Sequence, residues 1–378
     1  MNWSKLEKLD STRMKANIES QGKSISITFN KEIENIRHIA SRIKNYQKFI
    51  LSGCGDKHIV PLISQYLWHK NSSKPLYVFH AKTLSNYMPK LIDKNTCTIF
   101  LTQSGTTADV LEACKAVMQR QACIVAITNL KEERDDSIIK TCKGYKKFFL
   151  INTWTEIYPE EPLPSTATFH TSLAVLNLLI LSITSDERGL DVQVNQIPRI
   201  VDTLSKSDKL KDYAKKIALR LKDKENFYIV GDGPRYGIAR KAARIMFMEG
   251  VKTNACDVEA EEFIHSLIEV VERRPNMLLL LKPLESWKKA EKNYNLIKAT
   301  WPKNLLIEID PFEFVSEETK SIFSDEYGDL FSPFLYIIPL EWISYYLALA
   351  KRVDPGKAMI VKKVRSEENL RNLFNLKK

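Results

Sequence analysis

Short apolar runs alternate with amphipathic stretches along most of this chain of 378 residues. Runs such as Phe49–Ser52, Cys97–Thr102 and Cys123–Thr128 have the length and apolar character of buried strands, and helical patterns such as Ala108–Gln121 separate them. Parallel strands need a crossover connection, which is usually a helix. The order therefore predicts an α/β protein built from βα units around mainly parallel central sheets.

The two halves of the sequence repeat one pattern. Phe49–Asp56 (FILSGCGD) and Phe227–Pro234 (FYIVGDGP) both run from a strand through a G-x-G turn into a helix. They lie about 180 residues apart, far more than the roughly 20–50 residues of a solenoid repeat. We therefore predict two domains, each a three-layer α/β/α sandwich. The predicted division is an N-terminal extension at 1–30, a first domain at 31–195, a second domain at 200–350 and a C-terminal tail at 351–378.

The composition is that of an ordinary globular protein, with 44% hydrophobic and 27% charged residues, which excludes a disordered or fibrous chain. The net charge of +11 is spread over segments of mixed sign, such as residues 131–136. The sequence contains no basic helix interleaved with aromatic residues, so we expect no nucleic-acid partner. A phosphate-bearing small molecule fits the charge at least as well, and so does a solvated lysine-rich surface.

The cysteines and apolar segments predict a cytoplasmic protein without a membrane partner. The six cysteines form no C-x-x-C pair, and most lie in apolar runs, as reduced buried cysteines do. Residues 1–5 begin a polar stretch without the apolar core of a secretory signal. The longest apolar stretches, Leu173–Ile183 and Leu335–Ala350, are interrupted by polar residues and look too short or too polar to span a bilayer.

The most informative segment is Thr102–Asp109 (TQSGTTAD), which follows a predicted strand and opens a predicted helix. Helix N-termini bind anions because the first N–H groups lack partners and the helix dipole favours negative charge. Hydroxyl groups of Thr102, Ser104 and Thr107 would add directional donors. Ser and Thr are also the preferred capping residues, so an ordinary capped turn is the alternative. Four hydroxyl residues around a glycine favour a phosphate site.

The two G-x-G turns are weaker signals. Both lack the third glycine of the dinucleotide fingerprint and its acidic partner, so we expect no nicotinamide cofactor, and no other cofactor is indicated. Lys57, just after the first turn, could neutralise phosphate charge, although a solvated lysine at a helix start is the alternative.

A second cluster lies at Asp257–His265. In a helix, Glu262 and His265 would share one face at i,i+3, and a carboxylate beside an imidazole suits acid–base catalysis. An ordinary surface pattern is the alternative. The six histidines are scattered without H-x-x-x-H spacing, so we predict no metal site.

With these segments in view, the sequence resembles the tandem SIS (sugar isomerase) domain family. It is similar to the isomerase domain of glucosamine-6-phosphate synthase and to phosphosugar deaminases and deglycases. The resemblance extends from about Asn30 to about Val364, and TQSGTTAD matches the family's phosphosugar loop S-Q-S-G-x-T-x-D. It implies that the phosphate is held by Thr102, Gln103, Ser104 and Thr107.

Other segments match the family only in part. Cys54 and Gly55 match its C-G turn, which implies a place beside the ligand, but Asp56 and Lys57 replace the T-S that follows. Residues 164–169 (PSTATF) resemble the family's A-S-T-K-x-F with alanine in place of the lysine, which makes Ser165 a candidate for sugar contact.

The resemblance also assigns roles near the C-terminal end of the chain. Residues 261–265 (EEFIH) resemble the E-E-x-x-H of the deglycase branch, which implies that His265 opens the sugar ring or covers the substrate from a partner subunit, with Glu262 as a proton-transfer acid. Lys362 matches the lysine of a C-terminal K-x-V motif that reaches the carbonyl end of the sugar.

The helix after the second G-x-G departs from the family. The synthase carries E…K-x-x-E there, including the glutamate that moves a proton between C1 and C2. In this chain those positions fall on Lys241, Ile245 and Met248, and Glu249 is one residue out of register. Either a small shift lets Glu249 serve, or Glu262 takes the role, or the chain does not run that isomerisation.

The sequence thus predicts a homodimeric enzyme acting on a phosphorylated sugar or amino sugar. Carboxylate-mediated proton transfer is common to aldose–ketose isomerisation, deamination and deglycation, so the residues do not separate these reactions. The alternative is a non-catalytic phosphosugar sensor, which the missing helix acids favour.

Overall fold

The computed structural model describes residues 1–131, 135–157, 164–284, 288–325 and 327–357. The strands within these ranges are β1 Lys48–Gly53, β2 Leu76–His80, β3 Thr96–Thr102, β4 Cys123–Thr128, β5 Phe148–Asn152, β6 Asn226–Gly231, β7 Asn254–Glu259, β8 Met277–Leu281 and β9 Leu306–Ile309.

The α-helices of the first half are α1 Trp3–Leu6, α2 Met14–Glu19, α3 Gln21–Ile43, α4 Asp56–Asn71, α5 Ala81–Asn86, α6 Ala108–Gln119, α7 Ile138–Thr141, α8 Ala167–Thr184 and α9 Glu187–Asp191. Those of the second half are α10 Ile197–Lys206, α11 Asp208–Leu221, α12 Gly233–Lys241, α13 Glu262–His265, α14 Lys288–Thr300, α15 Glu317–Ile322, α16 Gly328–Phe331 and α17 Pro333–Ala350. Two segments are π-helical, Val192–Gln196 and Ala242–Val251.

The strands form two parallel sheets, one in each half. The first sheet has the order β2-β1-β3-β4-β5 and the second has the order β7-β6-β8-β9 within the described residues. Every pairing is parallel. The predicted α/β class with two parallel sheets is therefore confirmed. In each sheet the chain starts at a central strand and moves outwards to both sides, so ligands are expected at the carboxyl ends of the central strands.

The inner faces of both sheets contribute to one hydrophobic core. Leu51 of β1 and Ile229 of β6 are fully buried in the same cluster, together with helices α3, α4, α8, α12 and α17. The outer faces pack separately, with Phe100 against helix α6 in the first half, and Leu280 against Trp301 in the second. Because strand side chains alternate between faces, each sheet needs a helical layer on both sides, and the two halves share the layer between them.

Two helical stretches differ from the sequence expectation. Ala167–Thr184 and Gly328–Ala350 are long and apolar enough to cross a membrane, by length and composition. The expectation that they are too short or too polar was wrong on length, because the flanking residues also become helical. In the folded chain 89% of the apolar 18-residue stretch in the first helix and 94% of that in the second are buried inside the protein, as in core helices of a globular fold.

The first predicted boundary falls inside a helix. Helix α3 runs from Gln21 to Ile43, across the division placed at residue 30, and packs along helix α8. The residues before it therefore lead directly into the core of the first half. The predicted tail at 351–378 is described only as far as Lys357.

The two halves meet where helix α4 packs against helix α12. Gly237 of α12 lies so close to α4 that a Cβ atom there would stand 2.4 Å from Cγ1 of Ile63. This contact matters for the site, because α4 begins at Asp56 and α12 ends at Lys241.

We predict that Gly237→Ala destabilises the protein. Overpacking of a tight contact costs about 1–3 kcal/mol. The matched control is Gly250→Ala, where the nearest atom to the new Cβ would be Pro164 Cγ at an ordinary 3.5 Å. Chemical unfolding should place the Gly237 variant about 1–3 kcal/mol below the control in free energy of unfolding. Equal values for the two variants would contradict this close packing.

Candidate functional site

The loop between strand β3 and helix α6 is anchored by its own backbone. The N–H of Asn129 donates to the carbonyl of Gln103 at 3.1 Å, and the N–H of Ile138 donates to the carbonyl of Gly105 at 2.8 Å. Gly105 has φ +66°, and a Cβ there would lie 3.3 Å from Oγ1 of Thr128. A glycine is needed for both reasons, and it lets the loop turn tightly at the carboxyl end of the central strand.

The hydroxyl groups of this loop leave the start of helix α6 open. Thr107 is the N-cap residue, but its side chain makes no capping hydrogen bond in the described structure. Its Oγ1 lies 3.4 Å from Oγ1 of Thr102. Ser104 Oγ accepts hydrogen bonds from the N–H and the hydroxyl of Thr106 at 3.2 and 3.1 Å. The first N–H groups of α6 therefore remain available to an anion.

A cavity of about 310 Å³ opens at this turn. Its volume lies at the lower end of the range typical of small-molecule sites. The residues that line it are Cys54, Asp56, Lys57, Leu101, Thr102, Gln103, Ser104, Thr107 and Asn129. Six predicted binding residues thus line one cavity, whereas Gly55 and Ser165 do not.

The turn after strand β1 forms the opposite wall. A Cβ on Gly53 would lie 2.5 Å from the carbonyl oxygen of Lys57, and Gly55 has φ +59°. Burial, reinforced by Asp109, raises the pKa of Cys54 to about 11. Its thiol is therefore neutral near pH 7 and does not repel an anion in the cavity.

Lys57 is buried, with only 4% of its surface exposed. Its ammonium group donates to the carbonyl oxygen of Thr168 at 3.0 Å and lies 3.5 Å from the carboxylate of Asp56. The alternative of a solvated surface lysine is therefore wrong. The ammonium group is a fixed positive charge beside the cavity.

Asp56 is the centre of a buried polar network that joins the two halves. Its carboxylate accepts a hydrogen bond from the hydroxyl of Ser165. Lys241 of helix α12 donates to the carbonyl and the hydroxyl of Ser165 at 2.7 and 2.8 Å, and its ammonium group lies 3.9 Å from Asp56. Burial opposes ionisation of Asp56, but Lys57 and Lys241 outweigh it and hold its pKa below the ordinary value. Ser165 thus lies behind the cavity wall, bonded to a residue that lines it.

Glu249 is an acid of the second half that interacts electrostatically with Lys241 and Asp56 of this network, and it does not itself line the cavity. Burial raises its pKa to about 7, the positive charges of Lys241 and Lys252 oppose that rise, and Asp56 adds to it. Its Oε2 is buried without a hydrogen-bond partner in the described structure. A carboxyl group that exchanges its proton near neutral pH is suited to act as both base and acid.

The π-helical segment Ala242–Val251 explains why the register of Glu249 looked wrong in the sequence. A π-helical turn closes one residue later than an α-helical turn, so it shifts every following side chain by one position. Met248, at the position of the family's glutamate, is 45% exposed, while Glu249 turns inwards. The π-helical segment thus provides a structural basis for the shift left open in the sequence, and the role of Glu249 stays a prediction.

The second G-x-G turn is filled by the protein itself. Arg235 is fully buried, its guanidinium donates to the carboxylate of Asp232 at 2.8 and 3.1 Å, and it also donates to Asp329. Burial disfavours the guanidinium charge, but the two carboxylates more than compensate and raise the pKa of Arg235. The guanidinium group of Arg235 and its two carboxylate partners thus occupy this turn, whereas the turn of the first half is open to the cavity.

The remaining predicted residues are not gathered at the cavity. Glu262 and His265 lie in helix α13 after strand β7, both are exposed, and neither lines the cavity. Within one chain they are separate from the phosphate loop. The expected contact of His265 with a bound sugar therefore needs a second copy of the chain. Lys362 lies outside the described residues.

Sequence reasoning missed Asn129 and the part played by Asp56 and Lys241. Asn129 directly follows strand β4, the neighbour of β3, and its position at the carboxyl end of a parallel strand was a usable signal. Asp56 and Lys241 were visible only as departures from a motif, and their partnership depends on the packing of the two halves.

Comparison with known proteins identifies one domain and a group of relatives. Residues 43–182 match the model of the SIS domain family. The glutamine–fructose-6-phosphate aminotransferase (isomerizing) of Thermococcus kodakarensis is 26% identical over 349 residues, which cover 90% of this chain and 55% of that protein. The chain therefore spans about half the length of the curated relatives that it matches.

Solved structures share the fold over both halves. The C-terminal domain of glucosamine-fructose-6-phosphate aminotransferase from Francisella tularensis superposes with a TM-score of 0.71 at 19% identity and covers 90% of this chain and 96% of that one. Glucosamine-6-phosphate deaminase from Thermotoga maritima superposes with a TM-score of 0.66 at 16% identity, covering 92% and 98%. At these identities the likeness establishes the fold alone.

We predict that Glu249 makes stability depend on pH. Its pKa of about 7 in the folded chain lies above the ordinary 4.5. Between these values the unfolded chain releases the proton and the folded chain keeps it, so the free energy of unfolding falls as pH rises. Relative to Glu249→Gln, the wild type should lose about 1–2 kcal/mol between pH 5 and pH 8, after allowance for solvent screening.

Chemical unfolding at several pH values measures this difference. Glu262→Gln is the control, since it removes an exposed carboxylate, and it should leave the pH dependence of the wild type unchanged. Parallel curves for wild type and Glu249→Gln would show that Glu249 keeps an ordinary proton affinity.

Proposed function

We propose that this chain, a SIS-domain protein whose family domain covers residues 43–182, is an enzyme that moves a proton between neighbouring carbons of a phosphorylated sugar or amino sugar. The proposal rests on one observation. The open N-terminus of helix α6 and the half-buried carboxyl group of Glu249, with a pKa of about 7, lie close to the same buried polar network around Asp56.

The phosphate is held at the start of helix α6. The hydroxyl groups of Thr102, Ser104 and Thr107 and the side chain of Gln103 surround the place where the free N–H groups point. A dianion gains both charge-assisted hydrogen bonds and the favourable end of the helix dipole there. The ammonium group of Lys57 adds positive charge from the opposite wall. The sugar is thereby held by one end, with its carbon chain directed across the cavity.

Glu249 moves the proton. As a carboxylate it removes a proton from the carbon next to the carbonyl, which gives an enediolate, or an enamine from a protonated imine. As a carboxylic acid it returns the proton to the neighbouring carbon, while the hydroxyl proton of the enediolate moves to the other oxygen. A pKa near 7 makes both forms accessible at neutral pH, so one residue serves in both directions.

Asp56, Ser165 and Lys241 act as positioning residues. The pKa of Asp56 is held low, so this carboxylate stays ionised and does not compete for the proton. Lys241 binds Ser165 and also lowers the proton affinity of Glu249, which burial alone would raise further. The network therefore sets the charge around the acid and fixes the segment that leads into helix α8.

The named relatives suggest the substrates to try first. They include glutamine–fructose-6-phosphate aminotransferases and a glucosamine-6-phosphate deaminase. Fructose 6-phosphate, glucosamine 6-phosphate and fructosamine 6-phosphates therefore cover the isomerase, deaminase and deglycase reactions within the proposal.

A homodimer completes the proposed site. Glu262 and His265 are exposed and separate from the cavity of their own chain, which suits residues that reach the site of a second copy. His265 would then assist ring opening, and Lys362 would act at the carbonyl end of the sugar. These roles rest on the motif resemblance and stay predictions.

Removal of one loop hydroxyl is expected to weaken phosphosugar binding. Ser104→Ala loses a hydrogen bond to a charged ligand, worth about 1.5–3 kcal/mol or roughly a 10–100-fold rise in Kd. Isothermal titration with the three sugar phosphates measures it. The matched control is Ser41→Ala, an exposed serine on helix α3, which should bind as the wild type does. Equal affinity of the Ser104 variant, or no binding by the wild type, would refute the phosphate site.

Proton transfer is tested by solvent exchange. In deuterium oxide, the wild type should exchange the C1 or C2 proton of a bound sugar phosphate, followed by NMR. Glu249→Gln should slow this exchange about 10²–10⁴-fold, with substrate affinity retained. If Glu262→Gln abolishes exchange instead, the acid is wrongly assigned. If the wild type binds sugar without exchange, the chain is a sensor and the enzyme proposal fails.

A further inference from the structure

We propose that Cys54, His80 and Asp109 form a binding site for a divalent transition-metal ion, with Zn²⁺ as the best match, at the edge of the phosphate cavity. The site is additional to the proposed function. Metal binding by this cluster does not depend on the proposed function. Only an effect of the metal on sugar binding would depend on that function.

Three neighbouring strands each deliver one ligand to the same edge of the first sheet. Cys54 directly follows β1, His80 is the last residue of β2, and Asp109 lies in the first turn of the helix that follows β3. Strand β1 lies between the other two. In the register of β1 and β2, Gly53 is paired with His80, which brings Cys54 next to the imidazole.

The side chains converge closely enough for one ion. Ligand atoms of the three residues, the Cys54 sulfur, an imidazole nitrogen of His80 and a carboxylate oxygen of Asp109, lie within 4.8 Å of one another. Tetrahedral zinc has bonds of about 2.0–2.3 Å, so its ligand atoms stand roughly 3.3–3.7 Å apart. Rotamer adjustments of about 1 Å would close the site around an ion.

The chemistry of the donors favours zinc over calcium or magnesium. A thiolate, an imidazole and a carboxylate are all common zinc ligands, whereas Ca²⁺ and Mg²⁺ take oxygen ligands. All three side chains are half-buried. The ion would therefore be partly shielded from solvent yet open to exchange.

The surroundings already hold the ligands in place. The ring of His58 packs against that of His80, with centroids 5.4 Å apart, and the N–H of Ala81 hydrogen-bonds to the Cys54 sulfur. Lys82 lies 3.8 Å from Asp109 but only 2.7 Å from Glu112. The lysine therefore keeps a carboxylate partner when Asp109 turns to a metal.

The cluster also has a relation to the cavity. Three protein ligands leave a fourth tetrahedral position, as in zinc sites that bind water or a substrate. Cys54 lines the phosphate cavity, so an ion held by it would lie beside a bound sugar phosphate. A ligand oxygen could then occupy the fourth position in place of water.

Metal titration tests the site directly. Protein treated with EDTA and dialysed is titrated with ZnCl₂ by calorimetry, and with CoCl₂ followed by absorption spectroscopy. We expect one Zn²⁺ per chain, and a near-ultraviolet thiolate-to-cobalt band. Cys54→Ser should abolish the band and weaken Zn²⁺ binding more than the roughly 10–100-fold that loss of an outer-shell partner costs. His80→Asn and Asp109→Asn should also weaken binding.

The controls separate this site from other thiols and from the sugar site. Cys256→Ser removes the exposed cysteine of the second half and should bind both metals as the wild type does. Ser104→Ala should lose phosphosugar affinity and keep zinc. If Cys54→Ser does not fold, Asp109→Asn carries the test, because its side chain is 40% exposed.

Absence of stoichiometric zinc binding, or a cobalt band that survives Cys54→Ser, would overturn the proposal. Wild type that binds zinc but no phosphosugar would refute the proposed function and leave the metal site standing. Wild type that binds phosphosugar but no zinc would refute the metal site and leave the proposed function standing.

Discussion

The site depends on the ion pairs and the hydrogen bond that the ionised carboxylate of Asp56 makes with its neighbours. A single buried charge costs several kcal/mol unless it is paired and hydrogen-bonded. Asp56 meets that requirement with two ammonium groups and one hydroxyl, and one of the ammonium groups, that of Lys241, comes from the other half of the chain. The pair forms only when helices α4 and α12 pack as they do. The charge around the cavity is therefore tied to the geometry between the two halves.

The sequence was most informative where structure is local. The phosphate loop could be predicted because strand, glycine turn and helix start are consecutive, and the hydroxyl pattern of Thr102, Ser104 and Thr107 is read directly. The parallel sheets followed from the alternation of apolar runs and amphipathic stretches. These features depend on neighbours along the chain, and the structure has them nearly where the sequence put them.

Contacts between distant segments were not predictable in the same way. The inward orientation of Glu249 depends on a π-helical segment, which has no pattern as plain as an amphipathic period. Cys54, His80 and Asp109 lie at the junctions between three different strands and the helices that follow them, so no spacing in the sequence brings them together. The prediction of no metal site was drawn from the histidine spacing and from the lack of clustered carboxylates. Glu262 and His265 had the right spacing for catalysis, yet their helix is exposed on an edge of the second sheet.

The two halves share a fold but differ in what their G-x-G turns can do. In the first half the turn helps to form an open cavity, where the positive charge of Lys57 lies beside the wall. In the second half Arg235 and its two carboxylates fill the equivalent region. An anion would have to displace a buried, doubly paired guanidinium there. The first half therefore retains space for a ligand, and the second half contributes Lys241 to the polar network behind the cavity wall.

The pairing of the two halves also bears on two positions where the sequence departs from the motif that it resembles. An acid of the motif is replaced by Lys241 on the second half, and a hydroxyl is replaced by Asp56 on the first. The two changes are complementary, because each provides the charge that the other needs when buried. Their pairing occupies Lys241 and leaves Glu249 with an oxygen that has no hydrogen-bond partner in the described structure. A carboxyl group in that position has a proton affinity set by burial rather than by a fixed partner, which is the property that a proton-transferring acid requires.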